Sequence, residues 1–348
     1  MKSYFFTILA LIFLFSCKKE NETSTKNWVI ISKNIRFKEA QNIFFLKSGS
    51  HQYQIDNNKL PFKKIILLNA SLVGYISELG EEEKMIGISS PEYIYSDKIH
   101  LFIKSNKIQN IGNEQKYDVE KIIALKPDAI FTNYVSSFEN TYEILIKNGI
   151  EVIFIDEYLE EKPLEKAAII KVFGELLGKK EKALLKYSEI EKNYNRYKEL
   201  VKSEVKKPLV LTNEIYGSQW FVAGGKSQLA HFIQDAGGSY IFGQNDESNS
   251  TPRSFEEVYA KSENADFWLN VGNHKDKKEL LGINPNYAKM KVYQKGNIYT
   301  ISGKIKGSSN DYFESGVVRA DLVLKDYIKI FHPDIFPNDS LMYMLKLK

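Results

Sequence analysis

Residues 179–203, KKEKALLKYSEIEKNYNRYKELVKS, constrain this chain more than any other stretch. Leu184, Tyr187, Ile190, Tyr194, Tyr197 and Val201 recur every three or four positions, and the residues between them are mostly Lys, Glu and Asn, so one stripe packs and the rest stays wet. No Gly or Pro interrupts the run; Gly178 precedes it and Pro208 stops whatever follows. At about 1.5 Å per residue such a helix is roughly 37 Å long, enough to pass from one domain to another. The pattern predicts a stiff connector. A long surface helix on a single domain has the same pattern, so the flanks decide.

The flanks carry one plan twice. The first has a strand, Ile65-Ile66-Leu67-Leu68, a helix through Leu79 closed by Gly80, a helix over 119–125, the strand Ala129-Ile130-Phe131-Thr132, and a strand over 151–155. Beyond the connector come a strand over 209–212, a helix over 227–236 closed by Gly237-Gly238, a helix over 255–261, and strands over 267–269 and 298–301. Strands alternating with helices imply parallel sheets with right-handed crossovers. The expected fold is α/β: two similar lobes with parallel sheets joined by one long helix, the lobes spanning 28–178 and 204–348 and the helix 179–203. Ligands of open parallel sheets lie beyond the carboxyl ends of the strands, so the loops after Leu68, Thr132, Thr212 and Leu269 should face a shared cleft.

A length of 348 residues suits two domains, and 43% apolar with 13% aromatic residues is ordinary globular composition. Lys and Arg number 48 against 44 Asp and Glu, without a basic block. Nucleic acid is therefore not an expected partner, because phosphate binding needs clustered cations. Residues 28–61 offer short apolar or alternating pieces separated by turn formers, which fit antiparallel strands on the edge of the first lobe with no evident chemistry.

Residues 1–16 carry Lys2, an apolar run and a small residue directly before Cys17, the layout of a signal peptide. Twelve apolar residues as a helix span only roughly 18 Å, short of a bilayer core. Leu14-Phe15-Ser16-Cys17 resembles the lipobox of bacterial lipoproteins, whose cysteine carries the lipid. Cys17 is the one cysteine, so no intrachain disulfide forms and acylation gives its thiol a role. Residues 17–27 read as a lipid-anchored polar tether.

Further motifs resemble one family. They are Val119-Glu120-Lys121-Ile122-Ile123-Ala124-Leu125-Lys126-Pro127-Asp128-Ala129-Ile130, with Asn148-Gly149-Ile150-Glu151-Val152, Ala236-Gly237-Gly238, Ser254-Phe255-Glu256-Glu257-Val258 and His332-Pro333. In order and spacing they are similar to the solute-binding lipoproteins of bacterial ABC importers for iron-siderophores, haem and cobalamin. The resemblance covers most of 63–333. It implies docking on the permease through one acid per lobe, and Glu120 and Glu256 stand at the matching positions. Both are also first-turn acids, which the helix dipole alone would favour. Ser254 and Glu257 have capping-box spacing, which occupies Glu257 and leaves Glu256 to face outward.

The ligand classes so implied present broad faces, often with peripheral negative charge, and call for aromatic planes and Arg. Tyr93, Tyr134, Tyr216, Trp220, Arg253 and Tyr312 stand where the cleft should be, although ordinary packing would also account for any one of the aromatics. Ala223-Gly224-Gly225-Lys226-Ser227 ends like a phosphate-binding loop, but Trp220 stands where that loop requires glycine. His51, His100, His231, His274 and His332 show no close ligand spacing, so no metal site is expected. No nucleophile elbow or persuasive acid pair for hydrolysis is present. The expectation is an exported, lipid-anchored, monomeric receptor without cofactor, taking an iron chelate, haem or corrinoid to a permease. An exported enzyme, or an adhesion or sensor lipoprotein on the same scaffold, is the rival.

Overall fold

The computed structural model describes residues 27–348; the leader, Cys17 and most of the tether lie outside the described residues. The chain begins with an antiparallel meander, β1 (Val29–Ile30), β2 (Ile35–Ala40), β3 (Ile43–Ser48) and β4 (His51–Asp56). The N-terminal half then lays down β5 (Ile65–Leu67), α1 (Val73–Leu79), β6 (Met85–Ile88), α2 (Asp97–Lys104), β7 (Gln109–Asn110), a small hairpin of β8 (Gly112–Asn113) and β9 (Lys116–Tyr117), α3 (Val119–Leu125), β10 (Ala129–Thr132), α4 (Glu139–Lys147) and β11 (Glu151–Phe154). Its sheet has the order β11-β10-β5-β6-β7, parallel throughout. Strands buried on both faces read as continuous apolar runs, and alternate residues divide between two cores. Ile65, Leu67, Ala129 and Phe131 face the main core, whereas Ile66, Ile130 and Val152 face a second one.

Two short helices, α5 (Pro163–Ala168) and α6 (Ile170–Leu176), lead to α7 (Lys180–Leu200). The C-terminal half has β12 (Leu209–Thr212), the hairpin β13 (Ile215–Tyr216) and β14 (Gln219–Val222), α8 (Gln228–Asp235), β15 (Ser239–Tyr240), β16 (Thr251–Arg253), α9 (Phe255–Lys261), β17 (Phe267–Val271), α10 (Lys277–Ile283), α11 (Lys291–Lys295) and β18 (Ile298–Thr300). The hairpin β19 (Ile305–Lys306) and β20 (Ser309–Asn310), then α12 (Ser315–Val318), α13 (Ala320–Phe331) and β21 (Leu345–Lys346), complete it. The sheet order is β15-β12-β17-β18-β21, parallel except for the last strand.

The two-sheet α/β plan stands as expected, but α7 does more than span a gap. It packs against α6 on one side of the junction and α13 on the other, burying Ala183, Ile190, Tyr194 and Tyr197. Leu184, placed on the packing stripe by periodicity, is 43% exposed, because the adjacent Ala183 takes the contact. The halves also meet directly through α1 and α12. Gly74 lies so close to Glu314 that an added Cβ would collide with its carbonyl oxygen. One apolar cluster runs from Ile65 and Phe131 through α7 into Trp268 and Tyr327, so the connector is a buttress along a continuous core.

Candidate functional site

The parallel strands of both sheets end toward the junction, and their carboxyl ends carry polar residues. In the N-terminal half β11 runs into Asp156, Glu157 and Glu160, all buried. Asp156 Oδ1 accepts the Tyr134 N–H at 2.7 Å. Glu157 Oε1 accepts from Ser71 Oγ and its Oε2 from Asn133 Nδ2, each at 2.7 Å. Burial pushes the Asp156 and Glu160 carboxyls up from their ordinary range. Beside this floor lies a cavity of about 500 Å³ lined from both halves. Lys33, Asn34, Tyr158, Glu160 and Glu161 come from the first, and Asn213, Gln228, Ser248, Asn249 and Ser250 from the second. Amides, hydroxyls and carboxylates dominate, a lining suited to a ligand rich in hydrogen-bonding oxygen and nitrogen.

A second seam joins the halves elsewhere along the junction. Glu314 Oε2 accepts the Tyr95 N–H at 2.6 Å, and Lys306 pairs with Asp97 at 2.7 Å while lying 4.3 Å from the Tyr95 ring centroid. Burial pushes the Glu314 carboxyl up to about 7.

Glu120 and Glu256 are exposed, each in the first turn of its helix, α3 and α9. Asp118 Oδ1 accepts the Lys121 N–H at 3.0 Å and Ser254 Oγ the Glu257 N–H at 3.2 Å. Each helix leads into an interior strand of its sheet, β10 or β17, so the two acids hold equivalent places in the two halves. Half of the expected capping box forms: the Glu257 carboxylate lies 3.7 Å from Arg253 Nε.

Sequence comparison agrees with this geometry. The model of the periplasmic binding protein family matches residues 65–304. The chain belongs to that family. Two relatives from Methanocaldococcus jannaschii cover 84% of this chain each. An uncharacterized protein is 25% identical over 303 residues, 89% of its length, and an uncharacterized lipoprotein is 23% identical over 304 residues, 71% of its length. Among solved structures, Helicobacter pylori Ceue with Ni(II) bound superposes with a TM-score of 0.63 at 18% identity, covering 85% of this chain and 91% of that one. The periplasmic haem-binding protein HutB of Vibrio cholerae gives 0.60 at 16% identity, covering 78% and 99%.

On this periplasmic binding protein scaffold, none of the six aromatic and Arg candidates lines the cavity. Trp220 is corrected outright. It is 0% exposed, its Nε1 donates to the Thr212 carbonyl at 2.9 Å, and it packs on Trp268 and Tyr287, because its place on β14 turns the ring into the core. Tyr134 is part-buried, its ring against His51 and Phe154. Tyr312 packs on Tyr343, and burial pushes its hydroxyl up to about 12 against the opposing effect of hydrogen bonds with Tyr327 and Asn270. Arg253 is half-buried, its Nε without a hydrogen-bond partner. Tyr93, 50% exposed, lies in the turn after β6, and Tyr216, 83% exposed, in the hairpin after β12.

The residues that line the cavity were missed for identifiable reasons. Tyr158, Glu160 and Glu161 follow β11, a strand whose end obeys the same carboxyl-end rule. Lys33 and Asn34 belong to the meander, whose short strands carry no motif. Among the described residues no group of three or more His, Cys, Asp or Glu is placed to hold a metal ion, and no helix is long and apolar enough to cross a membrane.

Proposed function

We propose that this periplasmic binding protein captures a polar metal chelate between its halves and hands it to an ABC permease. The carrying observation is the cavity lined from both halves by amides, hydroxyls and carboxylates. That lining favours an oxygen-rich chelate of the ferric siderophore kind over haem, whose broad apolar face needs flat apolar walls. Of the similar solved structures, one is described with Ni(II) bound and another as haem-binding. Glu120 and Glu256, exposed at equivalent helix starts, serve as the acids that meet cations on the permease. The leader and the lipobox-like sequence ending at Cys17 support a receptor held outside the cytoplasm on a lipid anchor.

Spectroscopic titration of the purified protein tests the ligand. Saturable binding of a ferric hydroxamate or catecholate, released unaltered, is the expected result. Binding of haem or cobalamin alone would overturn the polar-chelate reading, and turnover of the chelate would favour an exported enzyme.

A further inference from the structure

The family match begins at residue 65, yet chain ahead of it reaches the cavity. The bend between β1 and β2 carries Ser32, Lys33 and Asn34, and each is fastened to the loop after β11. Ser32 Oγ accepts the N–H groups of Asn34 at 3.1 Å and Ile35 at 3.0 Å, which shapes the bend, and donates to Glu160 Oε1 at 2.8 Å. Asn34 Nδ2 donates to the Leu159 carbonyl at 3.4 Å. Lys33 Nζ lies 2.5 Å from Glu161 Oε1, and the same oxygen accepts from Ser248 Oγ at 2.5 Å. Ser248 belongs to the C-terminal half, so one carboxylate oxygen joins the meander and both halves at the cavity.

We propose that the 31–34 bend is a third wall of the ligand cavity and its clasp, with Lys33 and Ser248 sharing Glu161 across the mouth and Lys33 supplying the cationic contact to an anionic chelate. The proposal rests on the reading of this cavity as the chelate site. Among the described residues that line it Lys33 is the one cation, and its side chain is 60% exposed. An ion pair so exposed is weak enough to open for an entering ligand. The Ser32 and Asn34 bonds meanwhile keep the bend in place. A chelate bearing anionic oxygens can then take up Lys33, whereas an uncharged one gains nothing from it.

The test compares the full chain with Lys33→Glu, Glu161→Lys and the combined exchange, by hydrogen exchange and by binding of two probes, an anionic ferric tris-catecholate and a neutral ferric hydroxamate. Each single variant should speed exchange in the 246–250 segment while the Ser32 and Asn34 bonds keep 31–34 protected, and the combined exchange should restore protection at 246–250 by remaking the pair with reversed signs. Lys33→Glu should weaken tris-catecholate binding about tenfold and change hydroxamate binding by less than about threefold. Unchanged exchange at 246–250, or failure of the double variant to restore it, overturns the clasp. Equal loss for both probes overturns the cationic contact. If neither probe binds the unaltered protein while the exchange pattern holds, the clasp stands and the chelate reading falls.

Discussion

Single side chains at the junction carry consequences that can be measured. The Glu314 carboxyl is pushed from an ordinary 4.5 up to about 7 by burial, so the fold favours its protonated form. Its contribution is fully present below pH 4.5 and is lost as pH rises through 7, as the buried group ionises. Glu314→Gln keeps an acceptor for the Tyr95 N–H without the charge. It should flatten the stability profile between these limits and raise stability at pH 8 by on the order of 2 kcal/mol, read by denaturant titration at several pH values. Trp220→Ala opens the Trp268 and Tyr287 packing and should cost about 3–5 kcal/mol by the same titration. A ligand-facing Trp220 would instead show lost binding at nearly unchanged stability. Trp220 was legible as an aromatic on a cleft-side element, but not as core, because period-two alternation on a four-residue strand does not say which face is inside until the hairpin partners are known.

At the scale of elements, what could be read from the sequence was whatever local chemistry enforces. The helices over 119–125 and 255–261 appear with the expected bounds because Asp118 and Ser254 cap them. Ser254→Ala should therefore cost about 1 kcal/mol, measured by thermal unfolding, with local fraying of α9 seen in hydrogen exchange. The connector came out shorter than its pattern, Lys180–Leu200 in place of 179–203, and its burial follows the apolar period at Ile190, Tyr194 and Tyr197, with Ala183 buried in place of Leu184. The meander was legible as strands, whereas its contacts with Glu160, Glu161 and Leu159 arise from a separation of more than a hundred residues that no local pattern records.

For the whole molecule, the continuous core through α1, α7, α12 and α13 resists large hinge motion. Ligand capture should accordingly proceed with little change in the radius of gyration measured by small-angle scattering. The placing of Glu120 and Glu256 makes a separate prediction. Glu120→Lys combined with Glu256→Lys should abolish cellular uptake while leaving solution binding of the chelate intact, and retained uptake would count against docking through these acids.

By itself the sequence determined the alternation of strands and helices, the long connector and the helix starts, since each depends on neighbours within a turn or two. Tertiary structure alone decided which loops meet. The cavity is assembled from residues 33–34, 158–161, 213, 223, 227–229 and 248–250, and only the packing of two sheets about one shared core brings those segments to a common edge.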